Sequence, residues 1–107
     1  MINSDPTQLI YLIITTEVNK KNAYKIANIL LGEKLIPCVT FENVESRFWW
    51  GGEINQSREV KLIIKCKEEN IKKVCNKISE CHSYEVPEIT YFPVSANKDY
   101  HHWVNSI

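Results

Sequence analysis

Two extended runs, residues 35–50 and roughly 54–67, flank the tetrapeptide Trp49-Trp50-Gly51-Gly52. The first, "IPCVTFENVESRFWW", is enriched in Val, Thr and Phe, which favour strands. The second, "REVKLIIKC", sets Val60, Leu62, Ile64 and Cys66 against Lys61, Ile63 and Lys65, the period-two pattern of a strand with one apolar face. "GGEINQS" supplies turn residues between them. A strand over residues 35–50 would span about 50 Å at ~3.3 Å per residue, whereas a globule of this length is only ~35 Å across. The hairpin therefore overruns its own globule and carries Phe48, Trp49 and Trp50 at its tip. An apolar overhang is a sticky edge unless another chain covers it, which points to a sister subunit. The alternative is a bulge that bends the ribbon and folds the tryptophans back onto their own sheet.

The rest of the chain fits around that ribbon. Leu9–Thr16, "LIYLIITT", is an apolar run of strand length suited to a central strand. Ala23, Ile26, Ala27, Leu30 and Leu31 then recur at helical spacing, with Asn19 or Asn22 as cap and Gly32 near the end. Ile71, Val74, Cys75 and Ile78 mark a second helix. Glu68 and Glu69 sit at its start, and Glu68–Lys72 and Glu69–Lys73 have the spacing of supporting pairs. "YEVPEITYFPV" reads as a last strand, at an edge or irregular because of Pro87 and Pro93. "NKDYHHWVNSI" suits a short closing helix that gathers Tyr100, Trp103, Val104 and Ile107. The order β-α-β-β-α-β is the ferredoxin-like, split βαβ arrangement of the α+β class. One domain over residues 1–107 is expected, with 1–8 a loosely ordered tail.

Composition narrows the function. Thirteen basic and thirteen acidic residues balance, which argues against nucleic acid as partner. Lys20–Lys21 and Lys72–Lys73 read as solvated helix faces. No apolar run is long enough to span a membrane, and "MINSDPTQ" is not a signal peptide. A cytoplasmic protein is expected, with its four cysteines reduced. Cys38, Cys66, Cys75 and Cys81 contain no C-x-x-C, so no zinc knuckle or thioredoxin motif is present. There is no nucleophile elbow, zinc-protease helix motif or phosphate loop, and nothing specifies an enzyme.

The candidate chemistry is sparse. Cys66 and Cys75 fall on apolar faces and read as small core residues, and Cys81 does not share a helix face with Cys75. Cys38, after Pro37, reads equally as a structural thiol or as a soft ligand for copper or zinc. "CHSYEVPE" gathers His82, Tyr84, Glu85 and Glu88. His82 suits a switch or a metal ligand, while Glu85 and Glu88 point to opposite faces of an extended segment. His101 and His102 diverge by ~100° on a helix and cannot chelate together.

Four segments, in order, resemble the CutA, or CutA1, family of divalent-cation tolerance proteins. "LIPCVTFENVESRFWWGG" is similar to its cysteine-containing strand and serine–aromatic–tryptophan–glycine hairpin, and "REVKLIIKC" to its glutamate-to-lysine strand. "HSYEVPEI" is similar to its His-Pro-Tyr-Glu-x-Pro-Glu signature, and "DYHHWV" to its closing tyrosine and tryptophan. The likeness spans residues 9–107. It implies a ferredoxin-like homotrimer whose hairpins pair between subunits, with no established catalytic activity and a link to tolerance of copper and other divalent metals. Matched positions are Cys38, Ser46, Trp50, Gly52, Glu59, Lys65, His82, Tyr84, Glu85, Pro87, Glu88, Tyr100 and Trp103. Ser83 replaces the usual proline, implying a looser turn, and Cys66 replaces a usual threonine. The first reading is a non-enzymatic, metal-responsive trimer. Cys38 and His82 are its metal candidates, and Trp50, Glu59, Lys65, Tyr84 and Glu88 line an intersubunit cleft. The second is a PII-like regulatory trimer that binds a small anionic metabolite in that cleft. A purely structural scaffold is the third.

Overall fold

The computed structural model describes residues 4–107. Strand β1 (Ser4–Glu17) is followed by helix α1 (Lys20–Gly32), the ribbon strands β2 (Cys38–Trp50) and β3 (Glu53–Cys66), helix α2 (Ile71–Cys81), strand β4 (Thr90–Asn97) and helix α3 (Lys98–Asn105). The four strands form one antiparallel sheet in the order β2-β3-β1-β4. Strand β1 begins at Ser4 rather than Leu9 because Ser4 pairs with Asn97, across a register shift that ends at Leu9. Of the expected tail, residues 1–3 lie outside the described residues.

Period-two alternation along β1 separates two cores. Ile13 faces α1 and α2 and packs with Ala23, Ile26, Leu30, Leu62, Ile64, Cys66, Val74 and Ile78. Ile10, of opposite parity, packs with Ala96 of β4 and Val104 of α3 on the other face. Two helices therefore cover one face, and the short third helix caps part of the other.

Helix α1 starts where the Asn19 side chain accepts the backbone N–H of Asn22 at 2.8 Å. It ends in paired bonds, Leu35 N–H to the Leu30 carbonyl and Lys34 N–H to the Leu31 carbonyl, both 3.0 Å. That is a Schellman closure, and it places Lys34 at φ 56°. Gly32, the expected terminator, is instead the last helical residue. Glu68–Asn70 form a 3₁₀ turn before α2, so the expected Glu68–Lys72 and Glu69–Lys73 pairs do not form, and Lys77 pairs with Glu33 and Glu80 instead. Residues 84–89 are not strand: β4 starts at Thr90, beyond Pro87 and Glu88.

The ribbon is straight in register from Cys38↔Lys65 to Trp50↔Glu53 without a bulge. Its turn is Gly51–Gly52 alone, at φ 62° and 75°, while Glu53–Ser57 belong to β3. Two successive positive φ values make the type I′ turn whose twist matches the flanking strands. Pairing of β3 with β1 ends at Val60↔Glu17. Seven further β2–β3 pairs, Val44↔Glu59 to Trp50↔Glu53, continue as a free two-stranded ribbon, an overhang of about 24 Å. The longest dimension is 46 Å, against 29 and 21 Å for the others. In the single chain Trp49 is 72% and Trp50 54% exposed, so the tryptophans do not fold back.

Candidate functional site

The candidate residues separate into three places within one chain. The first is the neck, where the ribbon leaves the sheet. The period-two pattern Ile13, Thr15, Glu17 carries a carboxylate onto the buried face of β1, and Glu17 is fully buried. It accepts the N–H of Val18 at 2.8 Å, the N–H of Ser83 at 3.0 Å and the Ser83 hydroxyl. Burial alone would raise its pKa. The Ser83 and Val18 bonds outweigh that, and the carboxyl is held below its ordinary range. The turn at Ser83 is therefore tied down rather than loosened, since a serine supplies the N–H and O–H that proline lacks.

His82 lies beside this carboxylate with its side chain fully buried. Its Nε2 is 2.7 Å from the Thr16 carbonyl, which can only accept, so Nε2 carries the hydrogen. Its Nδ1 accepts the N–H of Tyr84 at 3.0 Å. Both ring nitrogens are thus committed to the fold, and neither is free for a metal. Next along, the Tyr84 hydroxyl donates to Glu59 Oε2 at 2.5 Å. Burial, then the hydrogen bond and charge of Glu59, then the charge of Glu17, push the Tyr84 phenol well above its ordinary value, so it remains a donor.

The second place is at the other end of the ribbon. Cys38 pairs with Lys65, which pairs with Leu12. Lys65 Nζ lies 3.9 Å from Cys38 Sγ. Tyr100, brought by α3, lies near the same thiol, and burial followed by the proximity of Cys38 raises the phenol's pKa. Tyr100 stacks at a tilt on Trp103, with ring centroids 5.7 Å apart. Lys65 is six residues from Glu59 along β3, about 20 Å away. Cys38 and His82 are likewise not brought together. No group of three or more His, Cys, Asp or Glu side chains gathers among the described residues.

The third place is the ribbon tip, where Trp50 shares a face with Phe48 while Trp49 opposes Ile54 on the other, all exposed in the single chain. Glu88 belongs to none of the three: it is exposed and accepts only the Thr90 hydroxyl, at 2.9 Å. Cys66 is a core residue, its thiol pushed up to about 12 by burial and then by Cys75. Glu17 and Thr15 were not singled out in the sequence, and Ser83 was noted only as a departure from the family's proline. The signal for Glu17 was its period-two spacing from Ile13.

A four-stranded 2-3-1-4 sheet with two helices on one face and an overhanging β2–β3 hairpin at one edge defines a ferredoxin-like α+β protein of a distinct kind. The model of the family described as CutA1 divalent ion tolerance protein matches residues 11–107, and the chain belongs to that family. It is 33% identical over 94 residues to the divalent-cation tolerance protein CutA of Pyrococcus horikoshii, covering 87% of this chain and 92% of that protein. Divalent ion tolerance protein CutA1 from Ehrlichia chaffeensis superposes with a TM-score of 0.86 at 35% identity, over 99% of this chain and 95% of that one. The protein from Archaeoglobus fulgidus, described as the periplasmic divalent cation tolerance protein CutA, gives 0.88 at 31% identity, over 91% and 96%.

Proposed function

We propose that this chain serves tolerance of divalent metals as a non-enzymatic homotrimer in the cytoplasm, with Cys38 as its soft ligand for copper. Family membership over residues 11–107 carries the metal-tolerance reading. The exposed, 24 Å overhang supports assembly (about seven strand steps), since free ribbon edges and indole rings are stable only when covered. Four unpaired cysteines suit a reducing compartment. Among the described residues no helix is long and apolar enough to cross a membrane.

The donor set of one chain does not close around an ion: it offers one half-buried thiol with an ammonium and a phenol beside it. Further donors must come from sister chains. His82 is not among them, because both its nitrogens are engaged. The anionic-metabolite alternative gains no support from the neck: Lys65, its cation, stands by Cys38, while Glu59 and Tyr84 present an acidic surface. Competition for copper(I) against a chromogenic chelator tests the reading. The native protein is expected to withdraw copper from the chelator and Cys38→Ala to lose that capacity. Equal withdrawal by the two proteins would remove Cys38 from the metal site.

A further inference from the structure

The connector between α2 and β4, residues 83–89, has no ladder partners and no backbone–backbone hydrogen bond among the described residues. Apart from Ile89, which packs on the main core, it is held by hydrogen bonds to side chains. The N–H and hydroxyl of Ser83 donate to Glu17, the N–H of Tyr84 donates to His82 Nδ1 at 3.0 Å, and the Tyr84 hydroxyl donates to Glu59. Each of these ties ends on a titratable acceptor. A proton on such an acceptor turns it into a donor, so the fastening of the connector depends on pH. The side chains of His82 and Glu17 are fully buried within one chain, so their arrangement does not depend on what covers the ribbon.

Of the acceptor types involved, an imidazole ordinarily gains its proton at about pH 6.5 and a carboxyl about two units lower. Glu17 stays ionised in between, because its hydrogen bonds hold its carboxyl below the ordinary value. At the ring the two roles exclude each other. Nε2–H donates to the Thr16 carbonyl at 2.7 Å and lies 3.1 Å from the Thr15 hydroxyl oxygen, so an incoming proton has only Nδ1 to occupy. A protonated Nδ1 faces the Tyr84 N–H donor to donor. Its other neighbour is an acceptor, Glu17 Oε2 at 3.5 Å. Protonation therefore exchanges the Tyr84 tie for an ion pair with Glu17 and leaves the Tyr84 N–H without an acceptor. The titratable groups around the ring are Glu17 from β1, Tyr84 from the connector and, through the Tyr84 hydroxyl, Glu59 from β3. No lysine or arginine pairs with His82 or Glu17 among the described residues.

We infer that His82 is a proton-operated latch on this connector. With Nδ1 unprotonated it holds Tyr84 in place; with Nδ1 protonated it turns to Glu17, frees Tyr84 and loosens residues 84–89 while the sheet stays intact. Cys38 takes no part, so the latch stands or falls independently of the copper reading. NMR on the ¹⁵N-labelled full chain, titrated from about pH 8 to about pH 5, tests it. The ring nitrogens of His82 are read beside the hydrogen-exchange protection of the Tyr84 amide, corrected for the intrinsic pH dependence of exchange. The ring is expected to start as the Nε2–H tautomer. The Tyr84 amide is expected to lose protection with the same midpoint as ring protonation, by about tenfold per pH unit below it, while the β1–β3 amides keep theirs. His82→Asn offers the Tyr84 N–H a side-chain oxygen two residues back, as in an Asx turn, and cannot take up a proton. Its Tyr84 amide is expected to keep its protection over the whole range. The latch is refuted by a ring that titrates while the Tyr84 amide keeps its protection. It is equally refuted by a ring that stays neutral until the whole fold melts, or by the same amide loss in His82→Asn. If that variant fails to fold, the comparison of midpoints in the native chain decides alone.

Discussion

Lys34 is the residue whose backbone is least suited to its side chain. It closes α1 at φ 56°, the only non-glycine residue with positive φ among the described residues. L-residues lose ~1–2 kcal/mol there, so Lys34→Gly is expected to raise stability by about 1 kcal/mol in urea unfolding, with no effect on metal binding. Tyr84 makes the opposite case. Tyr84→Phe leaves Glu59 buried without any donor, and the expected loss is roughly 1–3 kcal/mol, measurable by the same unfolding curves. Glu17 gives the pH dependence. Its folded carboxyl sits below its ordinary value, so its ionisation stabilises the fold at pH values above about 4.3. That contribution is lost as the pH falls from there through the lower folded value. Glu17→Gln should therefore flatten the acid limb of stability against pH, and an unchanged limb would remove Glu17 as its source.

At the scale of elements, the ribbon depends on its turn. Gly51 and Gly52 both have positive φ and open space around them, so a substitution meets conformational strain and not a clash. Gly52→Val should cost about 1–2 kcal/mol and appear as fraying of the β2–β3 amides in hydrogen exchange, ahead of the β1–β3 amides. Much of this architecture was legible. Alternation of Val60, Leu62, Ile64 and Cys66 placed β3 with its buried face inward, and the 3.6-residue spacing placed α1 and α2. The family motifs brought Cys38, Glu59, Tyr84 and Trp103 into view. What the pattern could not show was which polar residues meet across the fold. The Ser83–Glu17 tie joins residues 66 apart, and the orientation of His82 is set by backbone atoms of Thr16 and Tyr84. Backbone acceptors leave no mark in sequence. Residues 84–89 read as strand because Tyr, Val and Ile favour it, yet the described chain runs there without ladder partners until Thr90.

The whole molecule is shaped by a mismatch between a ribbon and the sheet that grips it. The four-stranded part stops at Val60↔Glu17, and the seven pairs beyond carry Phe48, Trp49, Trp50 and Ile54 into solvent in a single chain. Each of those side chains is worth roughly 1.5–3 kcal/mol when fully covered, so a handful on each ribbon is enough to drive assembly. The tryptophan pair should then emit at blue-shifted wavelengths in the assembled protein. Sedimentation equilibrium at micromolar concentration tests the central claim most directly. A single species of three times the 12.5 kDa chain mass is expected, and a stable folded species of one chain mass would contradict it.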